Sequence, residues 1–252
     1  MQSNESFNMI ATVENNITNT IAHFDTREAR FNMPSAIARF NMIEQQIRTW
    51  EVLDPKVLQL LNDMPRENFV PKQYQGLAFA DIEIPLGHEQ TMLSPKLEAR
   101  ILQALNIQNT HTVLHIGTGS GYFAALLASF AKQVVSLEIS SELSAQAAHN
   151  LAQNNIQNVI LEIANGVFAK SKSMGQQFYD AIVYTGSSPV EPAGVRQQLA
   201  IGGLLFIVIG SAPVMQATLI QRISETGFRQ DVLFETCITA LDNAPQAPQF
   251  EF

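Results

Sequence analysis

The 252-residue sequence has one cysteine, Cys237, one tryptophan, Trp50, and no apolar run near the roughly 20 residues that a membrane-spanning helix needs. A lone thiol closes no internal disulfide, so a packed core has to hold the fold. The opening MQSNESFNMIATVENNITNT lacks both the basic start and the apolar stretch of a secretory signal, which argues against export and a membrane partner and for a cytoplasmic setting. Cations are scarce: 15 Lys and Arg stand against 23 Asp and Glu, for a net charge of −8. No Lys/Arg cluster is present, and without one a nucleic-acid partner is not expected. Histidines 23, 88, 111, 115 and 149 show no metal-ligand spacing with Cys or carboxylates, so no metal site is expected. There is no Gly-x-Ser-x-Gly elbow and no Gly-Lys-Ser/Thr loop, which argues against a serine hydrolase and a nucleoside-triphosphate site.

What is present suits one α/β domain with an N-terminal appendage. Residues 1–34 are read as an extension and 35–252 as a single domain, with a helical cap over 35–105 and a sheet core over 106–252. Residues 1–25 are rich in Asn, Thr, Ser and Glu and hold no Lys or Arg, which suits a weakly structured segment or a short surface helix. ARFNM occurs at 29–33 and again at 38–42, too close for a repeat architecture. Ile37, Phe40, Ile43, Ile47 and Trp50 recur at helical steps and predict one stripe docked on a core. Asp54-Pro55 and Ser94-Pro95 each read as an N-cap followed by proline in the first helical position. RENFVP and FADIEIPLG read as short extended stretches.

From residue 111 the pattern alternates. Strands are expected at His111–Ile116, Gln133–Ile139, Val159–Ile163, Tyr179–Tyr184 and Leu204–Ile209, with helices at Tyr122–Ala131, Glu142–Gln153 and Pro192–Leu199. Such succession builds a parallel sheet with right-handed crossovers. Ala217–Ile223 and Val232–Leu241, joined at Glu225-Thr226-Gly227, predict an antiparallel hairpin at its edge.

HIGTGSGY, residues 115–122, lies between the first of these strands and its helix, where open α/β sheets hold ligands beyond the strand ends. Its Gly-x-Gly-x-Gly spacing differs from the Gly-x-Gly-x-x-Gly of dinucleotide folds. Glu138 closes the second strand, roughly 20 positions after Gly117, the offset at which an acid reaches ribose hydroxyls. Glycines beside the ligand, an acid for the sugar and no phosphate-binding lysine favour an adenosine ligand without a phosphate chain, such as S-adenosylmethionine.

Taken in order, MIEQQI (42–47), LDPKVLQLL (53–61), MPRENFVP (64–71), IPLGHEQT (84–91), IGTGSGY (116–122), SLEI (136–139), NG (165–166), YDAIVYTG (179–186) and IGGLLFIVIG (201–210) resemble the protein-L-isoaspartate O-methyltransferase family. The resemblance implies a class I methyltransferase fold: a Rossmann-like, mostly parallel sheet with helices on both faces and an antiparallel C-terminal hairpin. It implies S-adenosylmethionine along Gly117, Thr118, Gly119, Ser120 and Gly121 and at Glu138, with Asn165 and Gly166 near the adenine and Thr185 completing the set. A carboxyl group of a protein or peptide is the implied acceptor.

The departures bear on chemistry. Where the family has its catalytic serine this chain has Leu93, and Ser94 reads first as a helix cap. Glu89 replaces a usual glycine and brings negative charge toward a carboxylate site. His115 stands where the family has an acid and Asn165 where it has Asp. A neutral imidazole supplies no fixed negative charge and reads as a core histidine paired by its ring nitrogens. The catalytic group is left unassigned, with Thr91, Ser94 and His88 as substrate-side candidates and Gln90, Thr185 and Ser187 as further orienting groups. A hydroxyl or amine acceptor would need a base, for which His88 and Glu89 stand nearest. Two alternatives stay open, a different acceptor and a non-catalytic cofactor-binding module, and so does the oligomeric state.

Overall fold

A computed structural model describes residues 28–167 and 178–246. Residues 1–27, and with them the segment read for 1–25, lie outside the described residues. The chain divides into two units, 1–41 and 42–252. Of the first, the described part is one helix, α1 (Glu28–Asn41).

The stripe expected from Ile37 to Trp50 is broken within the second unit, where Trp50 is exposed while Ile43 and Ile47 are buried together with Met42. The helical repeat changes under it: Met42–Ile47 is π-helical and Arg48–Trp50 is a 3₁₀ turn, so a 3.6-residue period does not persist through the stretch.

Helix α2 (Pro55–Asp63) begins as its Asp-Pro start predicts, with the Asp54 side chain accepting from the Lys56 amide at 2.8 Å. Helix α3 (Pro95–Leu105) also has proline in its first turn, but Ser94 caps it through its backbone and makes no side-chain cap bond. RENFVP is not extended: Arg66–Asn68 forms a 3₁₀ turn, folded around the buried Arg66 guanidinium. That group donates to the carbonyls of Ala78 (2.9 Å) and Leu93 (2.6 Å), pairs with Glu98 and lies 4.8 Å over the Tyr122 ring. It ties the 3₁₀ turn, the segment before α3 and α3 itself to one point. Strands β1 (Ile84–Gly87) and β2 (Gln90–Met92) make a small hairpin whose tip, His88-Glu89, has positive φ at both residues, as a two-residue type I′ loop requires.

The main sheet has seven strands: β3 (Thr112–Ile116), β4 (Gln133–Glu138), β5 (Val159–Ile163), β6 (Tyr179–Ser188), β7 (Leu199–Ser211), β8 (Val214–Arg222) and β9 (Phe228–Thr236). Their order is β5-β4-β3-β6-β7-β8-β9. The first five are parallel, while β7, β8 and β9 form an antiparallel meander at the edge, as the hairpin signal predicts. Helices α4 (Tyr122–Phe130) and α5 (Ser141–Gln153) make the crossovers from β3 to β4 and from β4 to β5. Alternation sends Val113, Val134 and Val183 to the core shared with α2, α3 and α4, and Leu114, Val135 and Ile182 to a second core on the opposite face.

Two sequence readings change here. The helix expected at Pro192–Leu199 is a single 3₁₀ turn, Arg196–Gln198, because Gly194, at φ +79°, breaks any helix opening at Pro192. The last strand ends at Thr236 rather than Leu241, since residues 238–241 turn away to lie along the end of β6, with Ser187 bridged in parallel to Ala240. No helix among the described residues is long and apolar enough to cross a membrane.

Candidate active site

After β3 the chain goes outward to β4 and β5 and then returns to β6 on the other side of β3, so a crevice opens between the carboxyl ends of β3 and β6. The glycine loop fills its floor. Gly117, Gly119 and Gly121 have φ of +92°, +54° and +84°, the left-handed region that side chains avoid, and this is why glycine alternates there. The Gly117 and Thr118 amides donate to the Leu137 carbonyl at 2.9 and 3.3 Å, and the Gly121 amide donates to the Thr118 carbonyl at 3.0 Å. A Cβ on Gly121 would lie 3.3 Å from backbone atoms of Ala147, so this glycine serves the packing of α4 on α5.

Glu138 ends β4 and is only 5% exposed. Its Oε2 accepts from the Gly119 amide at 2.8 Å and its Oε1 from the Ser140 amide at 3.1 Å. Each oxygen keeps a lone pair, so the carboxylate is fixed by the loop and can still accept from two hydroxyls. The crevice is lined by Gly117, Gly119, Glu138, Asn165, Gly166, Thr185 and Thr91, with Leu137, Ile139, Leu143 and Val167 as apolar wall. Among the described residues no Lys or Arg lines it. Close-approach glycines, a carboxylate with two free lone pairs and an apolar wall suit a nucleoside with paired hydroxyls.

Other predicted residues fall elsewhere. Thr118 and Gly121 do not line the crevice: the Thr118 hydroxyl turns beneath the loop to Ser136 Oγ, 2.6 Å away, and Gly121 faces Ala147. Ser120 opens onto a separate groove with Asn68, Gln146 and His149. Ser94 lines another depression beside Lys96 and Arg100. His88 and Glu89 are exposed on the hairpin tip, where His88 Nε2 lies 2.8 Å from Glu142 Oε2, so neither is placed as a base in the crevice. Leu93 is buried in the core and offers only its carbonyl, to Arg66. The Asn165 side-chain oxygen already accepts from the Val167 amide at 3.1 Å, which shapes its own turn. The Ser187 hydroxyl is committed to the Ile238 carbonyl at 3.0 Å.

Sequence reasoning missed the segment that closes the crevice. Ser187 donates its amide to the Thr239 carbonyl and accepts the Leu241 amide, both at 2.9 Å, and this brings Thr239, Leu241 and Asp242 onto the crevice. Gln90 Nε2 donates to Asp242 Oδ1 at 3.1 Å. The Thr91 hydroxyl donates to Glu83 Oε2 at 2.7 Å and lies 3.2 Å from Thr239 Oγ1. The apolar alternation running on to Leu241 hid this segment as strand.

His115, the other departure, is fully buried. Desolvation pushes its imidazole down to about 3 from the ordinary 6.5, so it is neutral.

The sheet order and the crevice at its switch point are those of the class I methyltransferase type. A family model described as protein-L-isoaspartate(D-aspartate) O-methyltransferase matches residues 38–243. The protein-L-isoaspartate O-methyltransferase of Syntrophus aciditrophicus is 35% identical over 187 residues, which are 74% of this chain and 84% of that protein. That of a Picosynechococcus species is 38% identical over 178 residues, 71% and 79% of the two chains. A solved Plasmodium falciparum structure, described as a protein-L-isoaspartate O-methyltransferase in complex with S-adenosyl-L-homocysteine, shares the fold with a TM-score of 0.68 at 19% identity, over 80% of this chain and 97% of that one. The chain belongs to the protein-L-isoaspartate(D-aspartate) O-methyltransferase family, and so to the S-adenosylmethionine-dependent O-methyltransferases.

Proposed function

We propose that this chain transfers a methyl group from S-adenosylmethionine to a carboxyl group of a protein or peptide, with isoaspartyl sites as the first acceptor to test. We further assign Gly117, Gly119, Glu138, Asn165, Gly166 and Thr185 to the cofactor side of the crevice. The observation that carries the reading is Glu138: a nearly buried carboxylate at the end of β4, held by two backbone amides and lining the crevice.

When bound, the cofactor supplies a methyl group on a sulfonium. Glu138 would hold the ribose hydroxyls, and Gly117 and Gly119 would let main chain lie against the ligand. Leu137, Ile139 and Leu143, which line the crevice, would shield it from water. A carboxylate acceptor is already a nucleophile and needs no base, so alignment and a dry crevice carry the catalysis and the lost serine is tolerable.

One observation favours a second reading. The Thr91 proton is directed to Glu83, so in the contact between the two threonines Thr239 donates and Thr91 accepts. This line, Thr239 to Thr91 to Glu83, leads protons away from the crevice, as a hydroxyl or amine acceptor would require. Transfer of labelled methyl to an isoaspartyl peptide, with the aspartyl peptide as control, separates the two. A methyl ester formed on the isoaspartyl peptide alone, released as methanol by mild base, supports the proposal. A base-stable product points to the second reading, and cofactor binding with no transfer to either peptide overturns the proposal.

A further inference from the structure

Beneath the glycine loop lies a line of polar side chains of which only Thr185 also belongs to the cofactor side assigned above. His115, fully buried in the middle of the sheet, has Nδ1 2.9 Å from Ser136 Oγ and Nε2 3.2 Å from Thr185 Oγ1. Its ring meets Phe123 edge-on at 5.6 Å. Ser136 is fully buried and its Oγ lies 2.6 Å from Thr118 Oγ1, while Thr185 Oγ1 lies 2.7 Å from the Gly117 carbonyl and 3.0 Å from that of Ile116.

Donor counting sets the direction of these bonds. The Thr185 hydroxyl has one proton, and the two carbonyls can only accept it. Toward His115 its oxygen therefore accepts, which places the ring proton on Nε2. A neutral ring then presents a bare Nδ1, and only the Ser136 hydroxyl can donate to it. The Ser136 oxygen in turn accepts from Thr118. The line runs one way, from the Thr118 hydroxyl through Ser136, His115 and Thr185 to the Gly117 carbonyl. It starts and ends in adjacent residues of the glycine loop, and bonds aligned in one sense polarise one another.

We propose that His115, as the Nε2–H tautomer, is the positioning residue of the methyl-donor site, clamping the glycine loop from beneath at Thr118 and Gly117 through Ser136 and Thr185. The proposal rests on the reading that this loop holds S-adenosylmethionine. A carboxylate at 115 would have no proton for Thr185 and would place an unpaired negative charge in the core, so histidine and its three hydroxyls work as a set.

The test has two arms. In the first, ¹⁵N NMR of histidine-labelled protein without ligand reads the tautomer. The expected result is a protonated Nε2 and a bare Nδ1 for His115, and Thr185→Val, which removes the Nε2 acceptor, shifts the tautomer balance. A protonated Nδ1 or an imidazolium in the wild type overturns the proposal. In the second, calorimetry measures S-adenosylhomocysteine binding to His115→Phe, Thr185→Val and the double variant. Each single variant is expected to bind about tenfold more weakly, the double scarcely worse than either, with KM for the methyl donor raised and KM for the peptide unchanged. Unchanged affinity, or losses that multiply, overturns the proposal. Should His115→Phe not fold, Ser136→Ala takes its place in the cycle with the same expectation. A wild type that binds no S-adenosylhomocysteine overturns the function reading itself, whereas a binding wild type with unaffected variants overturns only the role of His115.

Discussion

Replacing Arg66 with methionine is the perturbation whose cost the structure fixes most closely. The guanidinium is 1% exposed and serves three acceptors at once: the Glu98 carboxylate and the carbonyls of Ala78 and Leu93. Methionine fills much of the volume and restores none of these bonds, leaving Glu98 buried without its counter-charge. Breaking a buried pair from one side costs about 3–5 kcal/mol, a large share of the roughly 5–15 kcal/mol that holds a domain folded. The cost depends on pH. Burial pushes the Glu98 carboxyl up to about 7 from 4.5, even with Arg66 pulling it down. Without Arg66 the native protein holds the Glu98 proton to higher pH than the unfolded chain does, so stability falls as pH rises above about 4.5 and until the native carboxyl has titrated. Urea unfolding of Arg66→Met should therefore show a deficit that is smaller at pH 5 than at pH 8. The double variant Arg66→Met/Glu98→Leu, which removes both charges, should recover most of the loss. A deficit below about 1 kcal/mol, or a double variant as unstable as the single, would refute the reasoning.

Three further outcomes follow from local geometry. His115 stays neutral in the native state while the unfolded chain takes up a proton below 6.5, so stability is present above 6.5 and lost as pH falls toward 3; between pH 7 and 4.5 this one group removes about 2.5 kcal/mol, and His115→Gln should flatten that part of the unfolding profile. Gly166→Ala would set a Cβ 2.6 Å from Ile116 Cγ2, so it should cost about 1–3 kcal/mol in urea unfolding and weaken S-adenosylhomocysteine binding by displacing the Asn165 turn. Asp54→Ala, which loses the α2 cap far from the crevice, should cost about 1 kcal/mol and leave that binding unchanged.

The parts of the fold written in short stretches were legible in the sequence. Strands β3 to β7 show as apolar runs between turn signals, Asp54-Pro55 marks the start of α2, and the alternate glycines at 117, 119 and 121 mark a backbone that must turn left-handed three times. Glu138 was legible too, because its offset from the loop is set by one crossover helix. What was not legible depends on partners distant in sequence. Thr239 and Asp242 reach the crevice only because Ser187 captures residues 238–241, and the apolar pattern there continues that of a strand. The partners of His115 come from β4 and β6, although a lone serine in the apolar run QVVSLE hints that a buried donor is needed. The π-helical turn at Met42–Ile47 has no counterpart in a 3.6-residue reading.

The most direct measurement is the dissociation constant of S-adenosylhomocysteine for the wild type and for Glu138→Ala, by calorimetry at equal protein stability. Saturable one-site binding by the wild type, weakened about a hundredfold when the ribose loses its charged acceptor, is the predicted result. No binding by the wild type, or equal affinity in the two proteins, would contradict the assignment of the crevice.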